Sequence, residues 1–174
     1  MQTAYKALPT SKKRIEEYVQ QLRSHCQLDN VFPFPIMHLL EHLLPQMFPD
    51  MTLMLETVED MPLVEGETMP GTNTIHIRED VYYAACAGDG RARFTVAHEI
   101  GHFLMHTPDS IVLCQLEPGT VLKPFENPEW QADYFAGYLL APTEDAMGLS
   151  KKQLIQKFQL SEKAAKVTLS RCKA

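Results

Sequence analysis

Apolar residues recur at three- and four-residue spacing along much of this chain, a period typical of α-helices that cover a core. Ser11 and Asn127 each precede such a run and are suited to accept hydrogen bonds from the first helical N–H groups. Pro108 ends another run, because proline cannot continue the helical hydrogen-bond ladder. The pattern predicts helices over about residues 11–26, 36–47, 79–87, 91–106, 127–140, 151–158 and 161–171.

The stretch between the second and third of these helices has a different pattern. From Met51 to Arg78, apolar and β-branched side chains alternate with polar ones, and a Pro70-Gly71 turn lies between them. This predicts two or three short antiparallel strands. We expect the segment from Ile111 to Phe125 to be irregular or briefly extended. Helices around a small antiparallel sheet indicate an α+β fold, and the length suits a single domain over residues 1–174.

The charge of the chain bears on its partners. Its 174 residues carry a net charge of −6, which argues against nucleic-acid binding because phosphates need a basic face. After Ser150, however, Glu162 is the only acid among seven basic residues. We expect this tail to be a helix pair that packs on the domain. No apolar run is long enough for a membrane span or a signal peptide, so the sequence predicts a cytoplasmic protein without a membrane partner.

The candidate chemistry lies in the helix predicted over residues 91–106. His98 and His102 are four residues apart, so they lie about 6 Å apart along the axis on one face and can bind one ion together. Zinc accepts neutral imidazole nitrogens in such a pair. Glu99 is the neighbour of His98 and is suited to act as the base that accepts a proton from water.

A catalytic zinc ion usually has three protein ligands and one open position. His106 does not qualify, because a straight helix places it about 12 Å from His98. We expect Glu129 to be the third ligand, and Asp133, one turn later, to accept a hydrogen bond from the free nitrogen of a ligating histidine. The alternative is that Glu129 and Asp133 bind no metal and are an exposed acidic pair near a helix N-terminus.

Two blocks of the sequence together resemble the ImmA/IrrE family of metallo-endopeptidases. They are RARFTVAHEIGHFLMH at residues 91–106 and EWQADYFAGYLLAP at residues 129–142. Asp133 and Ala141 stand where asparagine and methionine are common in that family. The resemblance implies a zincin-like fold and one Zn²⁺ ion held by His98, His102 and Glu129, with Glu99 as the base. The chain would then comprise N-terminal helices (1–50), a sheet with the zinc-site helices (51–145) and a basic helical tail (146–174).

The resemblance also implies a zinc-dependent endopeptidase whose substrate is a regulatory protein, such as a helix-turn-helix repressor. A further group should donate a hydrogen bond to the oxyanion of the reaction, and the sequence nominates Tyr134, His76, His106 and Arg93. The alternative function is a zinc-binding regulatory domain without turnover that binds a protein partner or DNA. Glu99 argues against this alternative, because a structural zinc site has no need of a base.

Overall fold

The computed structural model describes residues 3–115 and 122–173. Its helices are α1 (Lys12–His25), α2 (Ile36–His38), α3 (Leu44–Met47), α4 (Glu79–Cys86), α5 (Gly90–Met105), α6 (Pro128–Leu140), α7 (Thr143–Ala146), α8 (Lys151–Phe158) and α9 (Glu162–Arg171). Its strands are β1 (Thr3–Ala7), β2 (Thr52–Glu56), β3 (Gly66–Thr68), β4 (Thr74–Arg78) and β5 (Ile111–Gln115). The α+β architecture expected from the sequence is confirmed.

Side chains that cap the first turn determine where most of the longer helices begin. The Ser11 hydroxyl accepts from Arg14 N at α1, and the Asn127 carbonyl oxygen accepts from Glu129 N and Trp130 N at α6. Both caps were expected, and both are confirmed. Asp89 caps α5 in the same way, with its carboxylate accepting from Arg91 N and Ala92 N. Each cap satisfies backbone donors that would otherwise have no partner within the helix.

The helix expected over residues 36–47 is not continuous. Between α2 and α3 the backbone widens into a π-helical segment, Leu39–Leu43, and the N–H of Leu44 donates to the carbonyl of Leu39. Pro45 follows immediately and has no N–H to donate, so the regular ladder cannot pass through it. The apolar residues of this segment nevertheless face the core, as their spacing predicted, because Leu39, Leu40 and Leu44 are fully buried.

The sheet near the centre has three strands in the order β2-β4-β3, and it is mixed. β3 pairs with β4 antiparallel, but β2 pairs with β4 in parallel. The expectation of an antiparallel sheet is therefore wrong for β2. Alternation of apolar residues identifies a strand but not the direction of its partner, and here β3 lies between β2 and β4 in the chain. Ile75 and Ile77 of β4 are fully buried.

A second, two-stranded sheet was not predicted. β1 pairs antiparallel with β5, with Tyr5 opposite Leu113. β1 was missed because a strand of five residues offers too few positions to show a period. The segment expected to be irregular or briefly extended from Ile111 to Phe125 begins as β5 and ends with a 3₁₀ turn, Pro124–Glu126. Residues 116–121 of that segment lie outside the described part of the chain.

The pair α5 and α6 lies at the middle of the core. Val96 and Ile100 of α5 and Phe135 of α6 are fully buried. Gly101 permits a close approach of the two helices, because a Cβ atom there would lie 3.0 Å from Phe135 Cδ1 and 3.3 Å from Ala132 Cα. The spacing between these two helices is thus set by direct contact with the backbone of Gly101.

The basic tail packs on this core, as expected. Leu154 and Phe158 of α8 and Ala165 of α9 are fully buried. The turn between α8 and α9 also abuts the start of α5, since a Cβ atom on Gly90 would lie 2.4 Å from the backbone at Leu160 and Ser161. Across the described residues, no helix is long and apolar enough to cross a membrane.

Candidate metal centre

Three side chains from α5 and α6 converge on one point. His98 and His102 lie one turn apart on α5, and Glu129 lies in the first turn of α6. The Nε2 atoms of the two histidines are 2.9 Å apart. The Glu129 carboxylate lies 3.3 Å from His98 Nε2 and 3.4 Å from His102 Nε2. Among the described residues this is the only group of three that could bind a metal ion.

These separations fit a tetrahedral ion with short bonds. Ligand bonds of about 2.0–2.1 Å, as zinc forms with nitrogen and oxygen, give tetrahedral edges of about 3.3–3.4 Å. The 2.9 Å between the two Nε2 atoms is somewhat shorter than such an edge, and the 3.3 and 3.4 Å from these atoms to the two oxygens of Glu129, one oxygen each, are close to it. Two imidazole nitrogens and one carboxylate oxygen also leave a fourth position for water or substrate, as catalytic sites require. The residues present therefore fit zinc.

Each histidine of the pair is oriented through its other nitrogen. His98 Nδ1 lies 2.9 Å from Asp133 Oδ1, and a carboxylate oxygen can only accept. His98 therefore donates from Nδ1, and its Nε2 is the nitrogen that would bind a metal ion in place of a proton. Asp133 thus lies where it can accept the hydrogen bond from a histidine that the sequence analysis expected of it.

His102 is oriented by a longer chain of hydrogen bonds, which the sequence did not reveal. Gln131 Nε2 donates to the carbonyls of Leu8 and Phe125, so its Oε1 is the acceptor that faces His106 Nε2 at 3.1 Å. Neutral His106 then donates from Nε2 and accepts at Nδ1. His102 Nδ1, at 2.9 Å, must be the donor to that atom, and its Nε2 is free to bind a metal ion.

His106 is the third histidine in this chain of hydrogen bonds. It follows the last residue of α5 but is only 2% exposed. Burial lowers its pKa, and the nearby charge of His102 lowers it further, to about 4. His106 is therefore neutral at physiological pH, as the hydrogen-bond chain requires.

The charges around the cluster favour a cation. Burial alone would lower the pKa of His98, but its hydrogen bonds to Asp133 and Glu129 outweigh burial and raise that pKa to about 10. Hydrogen bonds from His102 and His98 hold the pKa of Glu129 far below its usual range. The carboxylates that stabilise a proton here would stabilise a metal ion for the same electrostatic reason.

Glu99 lies beside the cluster but faces the edge strand β3. It is only 6% exposed, and burial raises the pKa of its carboxyl group. Its backbone carbonyl accepts from the Thr68 hydroxyl at 3.3 Å. Gly66 contacts its side chain closely, because a Cβ atom on Gly66 would lie 2.7 Å from Glu99 Cγ. A raised pKa makes a carboxylate a better proton acceptor, and the acid that it becomes can return the proton.

Each of the four nominees for the oxyanion donor pairs at least one polar atom with another group, although Arg93 Nε is buried without a hydrogen-bond partner among the described residues. The Tyr134 hydroxyl donates to Glu16, and Arg93, which is 5% exposed, donates from its guanidinium to the carbonyl of Phe34. His76 lies on β4 with Nδ1 2.7 Å from Glu56. His106 is held by Gln131 and His102. Each of these four side chains therefore has a polar partner within the described part of the fold.

A cavity of about 720 Å³ opens beside the cluster, between α5, α6 and α9. Asp133, the partner of His98, forms part of its wall. Apolar side chains of Phe94, Trp130 and Val167 form another part.

Comparison with known proteins adds to this geometry. No curated protein matches the chain in sequence. A model of a peptidase family, described as the IrrE N-terminal-like domain, matches residues 58–170. The match includes His98, Glu99, His102 and Glu129 and extends through most of the basic tail. It covers well over half of the chain, which therefore belongs to the ImmA/IrrE family of metallopeptidases.

Proposed function

We propose that this chain is a zinc-dependent endopeptidase with one Zn²⁺ ion held by His98, His102 and Glu129. The observation that carries the proposal is the convergence of two imidazole Nε2 atoms and one carboxylate at 2.9 to 3.4 Å from one another. Asp133 and His106 hold the two histidines in the tautomer that a metal requires. A zincin-like fold belongs to the same proposal, because the ligands come from a helix pair beside a small sheet.

The chemistry divides between the metal and the protein. When bound, zinc supplies a Lewis acid that lowers the pKa of water toward about 7 and polarises a peptide carbonyl. Glu99 accepts a proton from the water that attacks the carbonyl carbon, and it returns this proton to the amine nitrogen that leaves. Its low exposure keeps bulk water away from the carboxylate and raises its pKa, which favours the return of the proton.

We propose a regulatory protein as the substrate, of the repressor type with a helix-turn-helix. The support for this substrate is the family resemblance alone, while membership of a peptidase family supports a protein substrate in general. We also propose that residues 1–174 form a single domain, because one buried cluster includes residues from α1 through α9. The free thiols of Cys26, Cys86 and Cys172 support a reducing compartment such as the cytoplasm.

The alternative function is a zinc-binding regulatory domain without turnover. Glu99 distinguishes the two functions, because a site that only binds metal gains nothing from a buried carboxylate with a raised pKa beside it. Burying an ionisable group costs folding free energy, and a site that only binds metal has no need of a group with that cost.

The test uses peptides made by digesting a bacterial proteome, whose new N-termini are detected by mass spectrometry. We expect about one zinc ion per chain and cleavage by the wild-type protein. Glu99→Gln should retain zinc and lose cleavage, whereas Glu67→Gln, at an exposed position of β3, should change neither. Unchanged cleavage by Glu99→Gln would show that Glu99 is not the base. Zinc binding without any cleavage by the wild-type protein would favour the regulatory alternative.

A further inference from the structure

The strand β1 lies beside the metal centre, although it is far from it in the sequence. Residues alternate between the two faces of a strand, so Tyr5 lies on the same face of β1 as Ala7, which is 3% exposed. The end of this strand is tied to α6, because Gln131 Nε2 donates to the carbonyl of Leu8 at 3.1 Å. Gln131 is also the residue that orients His106. One side chain therefore bonds both to the end of β1 and to the histidine chain, by which we mean the hydrogen-bonded residues His106 and His102.

The Tyr5 ring lies against this histidine chain. Its centroid is 6.3 Å from that of His106, and the two rings meet edge to face. His106 in turn contacts His102. Burial raises the pKa of Tyr5, and the charges of Glu129 and Glu99 raise it further, to about 12. The phenol therefore keeps its proton at neutral pH and can serve as a hydrogen-bond donor.

The Tyr5 hydroxyl differs from three other tyrosine hydroxyls that donate hydrogen bonds to carboxylates. Those of Tyr82, Tyr134 and Tyr138 donate to Glu41, Glu16 and Glu144, respectively. Within residues 5–112 and 122–173, the Tyr5 hydroxyl has no hydrogen-bond partner, although the Tyr5 side chain is half-buried. A half-buried hydroxyl beside the site is a donor that a substrate can engage.

We propose that Tyr5 is a catalytic residue whose hydroxyl donates a hydrogen bond to the substrate oxyanion, a role that rests on the proposed peptidase function. Attack forms a bond between the water oxygen and the carbonyl carbon, and the π electron pair of the carbonyl moves to its oxygen. Tyr5 stabilises that negative oxygen and keeps its own proton throughout. The oxyanion then reforms the carbonyl as the bond to nitrogen breaks, and the proton held by Glu99 goes to the amine.

The variant that tests this role is Tyr5→Phe, which removes one oxygen and leaves the ring against His106. Tyr83→Phe is the matched control, because Tyr83 is 63% exposed on α4. For a peptide that the wild-type protein cleaves, we expect Tyr5→Phe to lower kcat about 10²-fold, the loss typical of an oxyanion donor, with little change in KM. Zinc affinity, measured by competition with a chromophoric chelator, should stay within about twofold of wild type, in keeping with a group that is not a ligand.

A second measurement does not depend on turnover. A phosphinic peptide of the same sequence has a tetrahedral, negatively charged centre, and we expect it to bind Tyr5→Phe about 10²-fold more weakly than wild type or Tyr83→Phe. Wild-type kcat and wild-type phosphinic affinity in Tyr5→Phe would overturn the role of Tyr5 while leaving the peptidase intact. A wild-type protein that binds zinc but neither cleaves peptides nor binds the phosphinic peptide would overturn the proposed function itself, and the role of Tyr5 with it.

Discussion

Gly66 determines where the carboxylate of Glu99 can lie, and a single methyl group should therefore move the proposed base. In Gly66→Ala the added Cβ would lie 2.7 Å from Glu99 Cγ, 3.1 Å from Cδ and 3.2 Å from Oε1. Two carbon atoms that are not bonded are comfortable at about 3.5–4.0 Å. The Glu99 side chain must therefore withdraw by about 0.8 Å or more. It is only 6% exposed, so it has little free space to enter.

The loss of activity should exceed the loss of stability. A misplacement of about 1 Å in a catalytic group can lower the rate about 10²-fold, which corresponds to about 2.7 kcal/mol in the activation barrier. Overpacking costs about 1–3 kcal/mol in folding free energy. The replacement of glycine within a strand offsets about 0.5–1 kcal/mol of that cost. We therefore expect a folded Gly66→Ala protein with normal zinc affinity, because Glu99 is not one of the three converging ligands.

The assay compares Gly66→Ala with Glu67→Ala, which introduces alanine at the next, exposed position of the same strand. kcat on a cleaved library peptide is measured for both, together with zinc affinity by chelator competition. We expect kcat to fall about 10²-fold in Gly66→Ala and to change less than about threefold in Glu67→Ala. Equal kcat values in the two variants would refute the argument that the carboxylate must stay where β3 holds it.

Three further predictions concern the metal ligands, the base and the tail. Asp133→Ala should weaken zinc binding about 10–100-fold in chelator competition. Asp133→Asn keeps an acceptor for His98 and should lose less zinc affinity. Equal losses of affinity in the two variants would contradict the orienting role of Asp133. Burial raises the pKa of Glu99, so the folded state disfavours the charged carboxylate. Metal-free Glu99→Gln should then exceed wild type in urea stability by a margin that is small at pH 4 and larger at pH 8, and a margin independent of pH would contradict this. Phe158→Ala should lower the free energy of unfolding by about 3–5 kcal/mol, and a loss below about 1 kcal/mol would mean that the tail unfolds separately.

Local features of the sequence predicted most of the helices and the ligand pair. Ser11 and Asn127 cap helices by accepting hydrogen bonds from residues at most three positions away. His98 and His102 are four residues apart, so a helix alone brings them together. Glu129 required one further step, the pairing of α5 with α6, which the contact of Ala132 and Phe135 with Gly101 makes close.

Features that depend on distant parts of the chain were not predictable in this way. Gln131 and Leu8 are joined by a hydrogen bond across 123 positions, and no local period reveals it. The parallel direction of β2 depends on how the chain returns through β3, which the alternation within a strand does not specify. Gln131 could have been noticed as a polar residue on the face of α6 that also carries Ala132 and Phe135, all of them buried.

The contact between Gly101 and α6 also has a consequence for the size of ion that the site accepts. A four-coordinate ion with ligand bonds of about 2.3–2.6 Å, longer than those of zinc, needs tetrahedral edges of about 3.8–4.2 Å. The present edges are 2.9 to 3.4 Å, so such an ion would have to move Glu129 away from the histidines. Moving α6 as a whole would open a gap where Ala132 and Phe135 now pack on Gly101. Within tetrahedral coordination, discrimination against larger ions is thus a property of the packing between two helices as well as of the ligands.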